Sequence, residues 1–320
     1  MATDEVKTTF LIISDTHGQV PLEQSSPDPA HQTPFQYPLP RADVLLHAGD
    51  LSYGGHEDEH RRTVQMLKSA QAELKIVIPG NHDITLDQIL FDKEGEETFA
   101  SETVKPSVGK IKSLYCDKDA KEHNIVYLEH GVRTFTLNNG AEFTIFTSPH
   151  TIDPWGHHWA FGYKEGTDLF NPLSPDATCP IPDHVDILMT HGPPKHVFDQ
   201  IPNGLNVGCS HLWQAVERVK PRLHVFGHIH EQWGASRFNW DEANWRDVDL
   251  SSQDRETQCR QHCVKLDVSE DGDDPMESGR ETLFINTSTL TIDYEAKNAP
   301  WLVELNLSRG RANEEVRNEI

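Results

Sequence analysis

The chain predicts an α/β fold, and two patterns carry that prediction. One is a series of short apolar runs: Thr9 to Ile13 (TFLII), Asp43 to His47 (DVLLH), Lys75 to Ile78 (KIVI), Val185 to Met189 (VDILM) and Leu223 to Phe226 (LHVF). Each ends in a polar or glycine-containing turn, as expected of strands buried on both faces. The other is helical spacing between them. Residues 57 to 73 place Val64, Leu67 and Ala70 on one stripe, residues 210 to 220 do the same with Leu212, Val216 and Val219, and Pro221 stops the second helix.

A second, more antiparallel set of strands is expected over Arg133 to Leu137, Glu142 to Thr147, Gln261 to Leu266, Glu281 to Asn286 and Trp301 to Leu305. Two stacked sheets flanked by helices accommodate both sets in one domain spanning 1–320. Three stretches look inserted. Residues 18–41 are proline-rich and aperiodic, so they form an irregular loop; residues 92–123 are charged and partly helical. Within 236–280, the Asp-, Glu- and Ser-rich stretches 236–256 and 268–280 form solvated excursions around a β-hairpin.

Composition narrows the partners. With 51 acidic and 28 basic residues, a net charge of −23 argues against a nucleic-acid binder that gains affinity by neutralising phosphates. No apolar run approaches the length of a membrane span. The start, MATDEVKTTFLIIS, lacks the basic region and the longer apolar region of a secretory signal. Five scattered cysteines, an odd count, suggest reduced thiols and a cytoplasmic location. Cys259 and Cys263 have zinc-like spacing but no second pair to close a four-ligand site, so they read as packing residues.

The chemistry is concentrated at the ends of the apolar runs: Asp15-x-His17, Gly49-Asp50, Gly80-Asn81-His82-Asp83, His191 and Gly227-His228-x-His230. Any one of these pieces is weak, but their combination reads as a two-metal hydrolase centre. Ligands collect at the carboxyl ends of strands in α/β sheets. Carboxylate, imidazole and one Asn, without thiolate, suit two divalent ions such as Mn²⁺, Fe²⁺ or Zn²⁺. If strand alternation continues past the strand ends, Asp15 with His17, and His228 with His230, each point into one cavity. A shared carboxylate is the simplest way to hold two cations ~3.5–4 Å apart, and Asp50 is the natural candidate. The ions would attract a phosphate ester and activate water for attack as a metal-bound hydroxide, while His82 protonates the leaving alkoxide.

These blocks resemble the calcineurin-like metallophosphoesterase superfamily, with its D-x-H, G-D, G-N-H-D/E, H and G-H-x-H signature. A narrower similarity is to the small metallophosphoesterase-domain proteins of mammalian brain type and their fungal and bacterial relatives. It rests on SDTHG, LLHAGDLS, IPGNHDITLD, FTSPHTIDPWGHHWAFGY, MTHGPP, VFGHIHEQWG, INTSTLT and NAPWLVELNL. The resemblance implies a four-layer αββα sandwich of two mixed sheets flanked by helices. It also implies that Asp15, His17, Asp50 and His230 bind one metal, that Asp50, Asn81, His191 and His228 bind the other, and that His82 assists the leaving group. Some mammalian relatives carry glycine at the first histidine of the last motif and are poor catalysts. Here His228 is present, and the full set favours catalysis.

The substrate is expected to be a small molecule, a phosphomonoester or phosphodiester, with cyclic nucleotides implied by the resemblance. His150, Trp155, His157 and His158, with Trp159 and Phe161, form an imidazole-rich aromatic segment that suits a pocket wall, and Asn286 is a further pocket candidate. A packed surface loop is an equal reading of that segment. His47 supports the sheet end and Asp83 supports its loop, whereas His56, His60, His123 and His196 read as surface residues. Hydrolysis of a non-phosphate bond, or a slow metal- or nucleotide-binding regulator, are the alternative functions.

Overall fold

The computed structural model describes residues 5–23, 32–101, 105–153 and 159–310. Two large mixed sheets dominate it. The first has six strands in the order β13 (Val264–Asp267), β15 (Trp301–Ser308), β1 (Glu5–Ile13), β2 (Ala42–Ala48), β3 (Ala72–Ile78) and β4 (Ile125–Tyr127). All its neighbours run parallel except β1 and β15, which pair antiparallel from Glu5 opposite Ser308 to Ile12 opposite Trp301.

The second sheet has seven strands in the order β12 (Asn244–Asp247), β11 (Gly234–Asn239), β14 (Glu281–Asn286), β10 (Leu223–Phe226), β9 (Ile187–Thr190), β6 (Glu142–Ser148) and β5 (Gly131–Thr136). Its centre, β14 to β6, is parallel, and antiparallel strands close both edges. A short parallel ribbon, β7 (Thr151–Ile152) with β8 (Gly162–Tyr163), lies outside both sheets. The strands expected to be antiparallel therefore do not form a sheet of their own: β13 and β15 join the first sheet, and β5, β6 and β14 join the second.

Alternation along the strands produces the layers. Phe10, Ile12, Val44, Leu46, Ile76 and Ile78 face the second sheet and pack with Phe143, Ile145, Met189, Val225 and Ile285. The intervening Leu11, Ile13, Leu45 and Val77 face the opposite way, against Val64 and Leu67 of α1 (Glu57–Ser69) and Ile111 and Tyr115 of α3 (Val108–Cys116). On the outer face of the second sheet, Phe146, Leu188, Phe226 and Phe284 meet Leu212, Val216 and Val219 of α5 (Ser210–Val219). Because these strands are apolar on both sides, each sheet needs a cover on each face, and the result is the four-layer αββα arrangement. Each large side chain so buried contributes about 1.5–3 kcal/mol.

Helix ends follow local chemistry. The last residue before Pro221, Lys220, takes a left-handed conformation and closes α5. The charged stretch near residues 92–123 carries α2 (Gln88–Thr98), α3 and α4 (Lys118–Glu122), capped by the side chains of Asp87, Ser107 and Asp117. The strand expected from Gln261 begins instead at Val264, because Asp254 caps a helix, α6 (Arg255–Gln261), that runs into that position. The acidic excursion holds the β11–β12 hairpin, whose Phe238 and Trp245 rings lie 4.8 Å apart beside Trp213 of α5. All five cysteines are free, with Cys259 and Cys263 buried. Among the described residues, no helix is long and apolar enough to cross a membrane.

Candidate metal centre

The side chains singled out by sequence converge between the two sheets, at the carboxyl ends of their parallel strands. Asp15 and His17 follow β1, Asp50 follows β2, Asn81 and His82 follow β3, His191 follows β9, and His228 and His230 follow β10. Asp15, His17, Asp50 and His230 bring one ligand atom each within 4.8 Å of one another, an arrangement that could hold a metal ion. The Nε2 atoms of His17 and His230 are 3.2 Å apart. His17 Nε2 lies 3.5 Å from Asp50 Oδ2, and His230 Nε2 lies 3.3 Å from Asp15 Oδ1. Since His230 Nδ1 donates to the Thr291 carbonyl, its Nε2 carries the lone pair in the neutral ring.

A second group adjoins the first through Asp50. Its Oδ1 lies 3.3 Å from His191 Nε2, and Asn81 Oδ1 lies 2.9 Å from that same nitrogen and 2.8 Å from His228 Nδ1. His191 Nδ1 donates to the Ala48 carbonyl, which turns Nε2 inward. Imidazole nitrogens and oxygens thus converge on each other without thiolate, a donor set that fits divalent cations of the Mn²⁺, Fe²⁺ and Zn²⁺ type.

The backbone achieves this by a different route from strand alternation. Asp15, His17, Asp50 and His228 have φ of 50°, 47°, 54° and 68°, so both members of the first pair, and His228 of the second, sit on left-handed bends and not on extended strand exits. Such a bend costs a residue other than glycine roughly 1–2 kcal/mol. Hydrogen bonds hold the bends: Asp15 N–H donates to the Gly49 carbonyl at 2.9 Å, and His17 N–H donates to the Asp50 carbonyl at 3.0 Å. Two glycines make room. A Cβ on Gly49, whose φ is 101°, would collide with the His191 ring, and one on Gly227 would overlap the Asp15 carboxylate.

The charges are coupled across the centre. Burial opposes ionisation of Asp15 and Asp50, yet the neighbouring histidines hold both carboxyls below the usual range. Burial likewise opposes charge on His191 and His230, but Asp50 beside the first and Asp15 beside the second keep each at about 9. His17 and His228 are pushed down, by burial, to about 4 and about 3.

The supporting residues are equally specific. Asp83 is fully buried and accepts from Leu51 N, Ser52 N, Ser52 Oγ and Gly80 N, tying the loop of Asp50 to the loop of Asn81. Burial, then Asp50, pushes its carboxyl up to about 7. His47 is buried against Thr16 Oγ1 at 2.9 Å. His60, expected at the surface, is instead fully buried: it shares a helical stripe with Val64 and Leu67 and bonds Tyr115 Oη at 2.9 Å and Thr85 Oγ1 at 3.0 Å.

An open cleft of about 330 Å³ lies over the centre. Asp50, Asn81, His82, His228 and His230 form its floor, and Trp159, Tyr294, Asp153 and Glu231 stand among its walls. His82 is set by Nδ1, which donates to the Tyr53 carbonyl at 2.7 Å, and its ring packs on Trp159 at 4.4 Å. His150 lines a smaller adjoining cavity with Tyr163, Phe170 and Cys209, and burial pushes it down to about 4. Asn286 does not reach the cleft: it is fully buried, its amide donates to the Ile229 carbonyl and its oxygen accepts from Ser288 N, so it braces the loop carrying His228 and His230. Trp155, His157 and His158 lie outside the described residues. Tyr294 was not singled out from sequence. Its ring lies 5.2 Å from His17 and 5.4 Å from His230, and the only signal for it is an aromatic following the INTSTLT segment.

Comparison with known proteins adds a family. The family model for calcineurin-like phosphoesterases matches residues 8–232. Human metallophosphoesterase domain-containing protein 1 is 32% identical over 307 residues, covering 93% of this chain and 71% of its own length, and the mouse protein of that name gives the same figures. The UPF0046 protein T07D4.2 of Caenorhabditis elegans is 34% identical over 62% of this chain and 48% of its own. Among solved structures, TT1561 of Thermus thermophilus superposes with a TM-score of 0.40 at 14% identity, covering 77% of this chain and 91% of its own.

Proposed function

We infer that this chain, which belongs to the calcineurin-like phosphoesterase family, is a hydrolase that uses two divalent cations to cleave a small phosphate monoester or diester. The observation that carries the dinuclear reading is the placement of Asp50, whose Oδ2 faces His17 while Oδ1 faces His191. In this reading Asp15, His17, Asp50 and His230 hold one Mn²⁺, Fe²⁺ or Zn²⁺ ion, and Asp50, Asn81, His191 and His228 hold the other. When bound, the cations polarise the phosphoryl oxygens and make water a better nucleophile.

The chain's own residues do the rest. Ala48 and Thr291 carbonyls fix the rings of His191 and His230 through their Nδ1–H groups, so the opposite nitrogens are free to ligate. Tyr53 does the same for His82 and leaves its Nε2 as the proton-exchanging atom. As the phosphorus–oxygen bond to the alcohol breaks, His82 Nε2–H donates to the departing oxygen. We take residues 1–320 as one catalytic domain, since β13 and β15 complete the sheet that β1 to β4 begin. The free thiols suit a reducing compartment such as the cytoplasm.

The test is hydrolysis of bis-p-nitrophenyl phosphate and p-nitrophenyl phosphate by protein stripped with chelator and reloaded with Mn²⁺, Fe²⁺ or Zn²⁺. Metal-dependent release of p-nitrophenolate is expected. Absence of turnover with all three ions would sink the reading.

A further inference from the structure

We propose that His150 is a positioning residue for His228: through a water in the cavity that both line, it accepts the Nε2–H of His228 and so keeps Nδ1 of that ring open to a cation. This rests on the two-cation reading above and deepens it. His228 is turned unlike two of the other histidines of that centre. His191 and His230 present Nε2 inward and anchor Nδ1–H on the Ala48 and Thr291 carbonyls. His228 instead presents Nδ1, which lies 2.8 Å from Asn81 Oδ1. To ligate a cation, this ring must carry its lone pair on Nδ1 and therefore its proton on Nε2. The contact with Asn81 Oδ1 works against that arrangement, because an amide oxygen accepts from Nδ1–H and favours the opposite tautomer. A ligand histidine turned this way needs an acceptor for its outer N–H.

A run of hydrogen bonds behind His150 makes it that acceptor. The Cys179 carbonyl can only accept, so His130 Nε2 carries a proton and donates to it at 3.0 Å. Burial pushes both His130 and His150 down, the latter to about 4, so both rings are neutral at pH 7. His130 Nδ1 therefore holds a lone pair and takes the Ser148 hydroxyl proton at 3.1 Å. With that proton committed, Ser148 Oγ accepts from His150 Nδ1–H at 3.2 Å. His150 Nε2 is left with a lone pair. His150 and His228 line the same cavity of about 30 Å³ beside the centre, a volume with room for a bridging water. Tyr163 is in the same lining and adds a further polar side chain to hold it.

The test measures cation affinity. Protein stripped with chelator is titrated with Mn²⁺, and the free ion is followed by electron paramagnetic resonance. The unmodified chain is expected to take up two ions. His150→Phe keeps a flat ring but offers no acceptor, and should weaken one of the two by about 10–100-fold while leaving the other unchanged. His150→Gln, whose side-chain oxygen can accept where Nε2 did, should recover most of that loss. Two ions held by His150→Phe with the affinities of the unmodified chain, or both weakened alike, overturn the role of His150 and leave the two-cation reading standing. No recovery in His150→Gln assigns the loss to packing and overturns it as well. Fewer than two ions on the unmodified chain overturn both readings. If His150→Phe does not fold, ¹⁵N NMR of the histidine side chains in the Zn²⁺-loaded unmodified chain decides the question. There His150 is expected to carry its proton on Nδ1 and His228 on Nε2, and a proton on His150 Nε2 overturns the proposal.

Discussion

Acidification should destabilise this protein through His60, and the size of the effect can be worked from its surroundings. Thr85 Oγ1 donates to the Gly55 carbonyl at 2.8 Å, so it accepts from His60 Nε2–H, and Nδ1 accepts in turn from Tyr115 Oη. A neutral imidazole satisfies this chain, and burial pushes the histidine down from 6.5 to about 3. A histidine depressed in the folded state contributes stability that is complete above the unfolded value, about 6.5, and is lost as pH falls toward 3. Linkage over that window gives a loss of about 2 kcal/mol by pH 5 relative to pH 7.5. His60→Phe removes both bonds and the titration together. At pH 7.5 the variant should be less stable by about 1–3 kcal/mol, the cost of stranding buried polar partners. At pH 5 the gap should close by about 2 kcal/mol, because only the parent carries the titration of His60. Urea unfolding of the two proteins at both pH values measures this, and the other buried histidines cancel in the difference. A gap of the same size at both pH values would refute the reasoning.

Other changes test the centre itself. Asp50→Asn should abolish phosphoesterase activity and at least one bound ion; full retention of two ions by elemental analysis contradicts the shared-carboxylate role. His82→Ala should lower kcat by roughly 10²–10⁴-fold while metal content is preserved, and a loss confined to KM would assign the residue to substrate positioning. Asp83→Asn has one acceptor where the carboxylate has two. Ser52 Oγ can turn to accept from the new amide, which leaves the Ser52 N–H stranded and costs about 1–3 kcal/mol. An unchanged urea midpoint would show that the loop of Asp50 is held by other contacts.

The sheets were legible because strands buried on both faces are apolar at every position. Phe10 with Ile12 and Leu11 with Ile13 serve opposite layers, so a run such as TFLII admits few other readings. Sheet membership was not legible. Trp301 to Leu305 reads as an ordinary strand, and nothing local says that it pairs antiparallel with β1 instead of joining Glu281 to Asn286. Helix α6 was missed because its signal is a single cap, Asp254, in a stretch whose composition resembles solvated loop. His60 could have been recovered, since positions 60, 64 and 67 lie on one helical face; the polarity of histidine outweighed its spacing.

That these side chains cluster was readable, but the geometry of the cluster was not, and the reason is physical. Residue types at strand ends indicate a cation centre whatever the path of the chain, whereas strand alternation gives the wrong path here. Asp15, His17, Asp50 and His228 occupy left-handed bends that an extended exit would not predict. At roughly 1–2 kcal/mol each, four such bends oppose folding by an amount comparable with much of a domain's net stability. Local hydrogen bonds from Asp15 and His17 to the loop of Asp50 offset part of this. In the proposed metal-loaded protein, the cations themselves would offset more, since binding to a centre absent from the unfolded chain adds to folding stability. Bends of this kind are not confined to the motif: among the described residues twelve non-glycine positions have positive φ, four of them motif residues, while Asn81, His191 and His230 are not among them. The strain therefore fits a ligand-holding role at those four positions without defining the site.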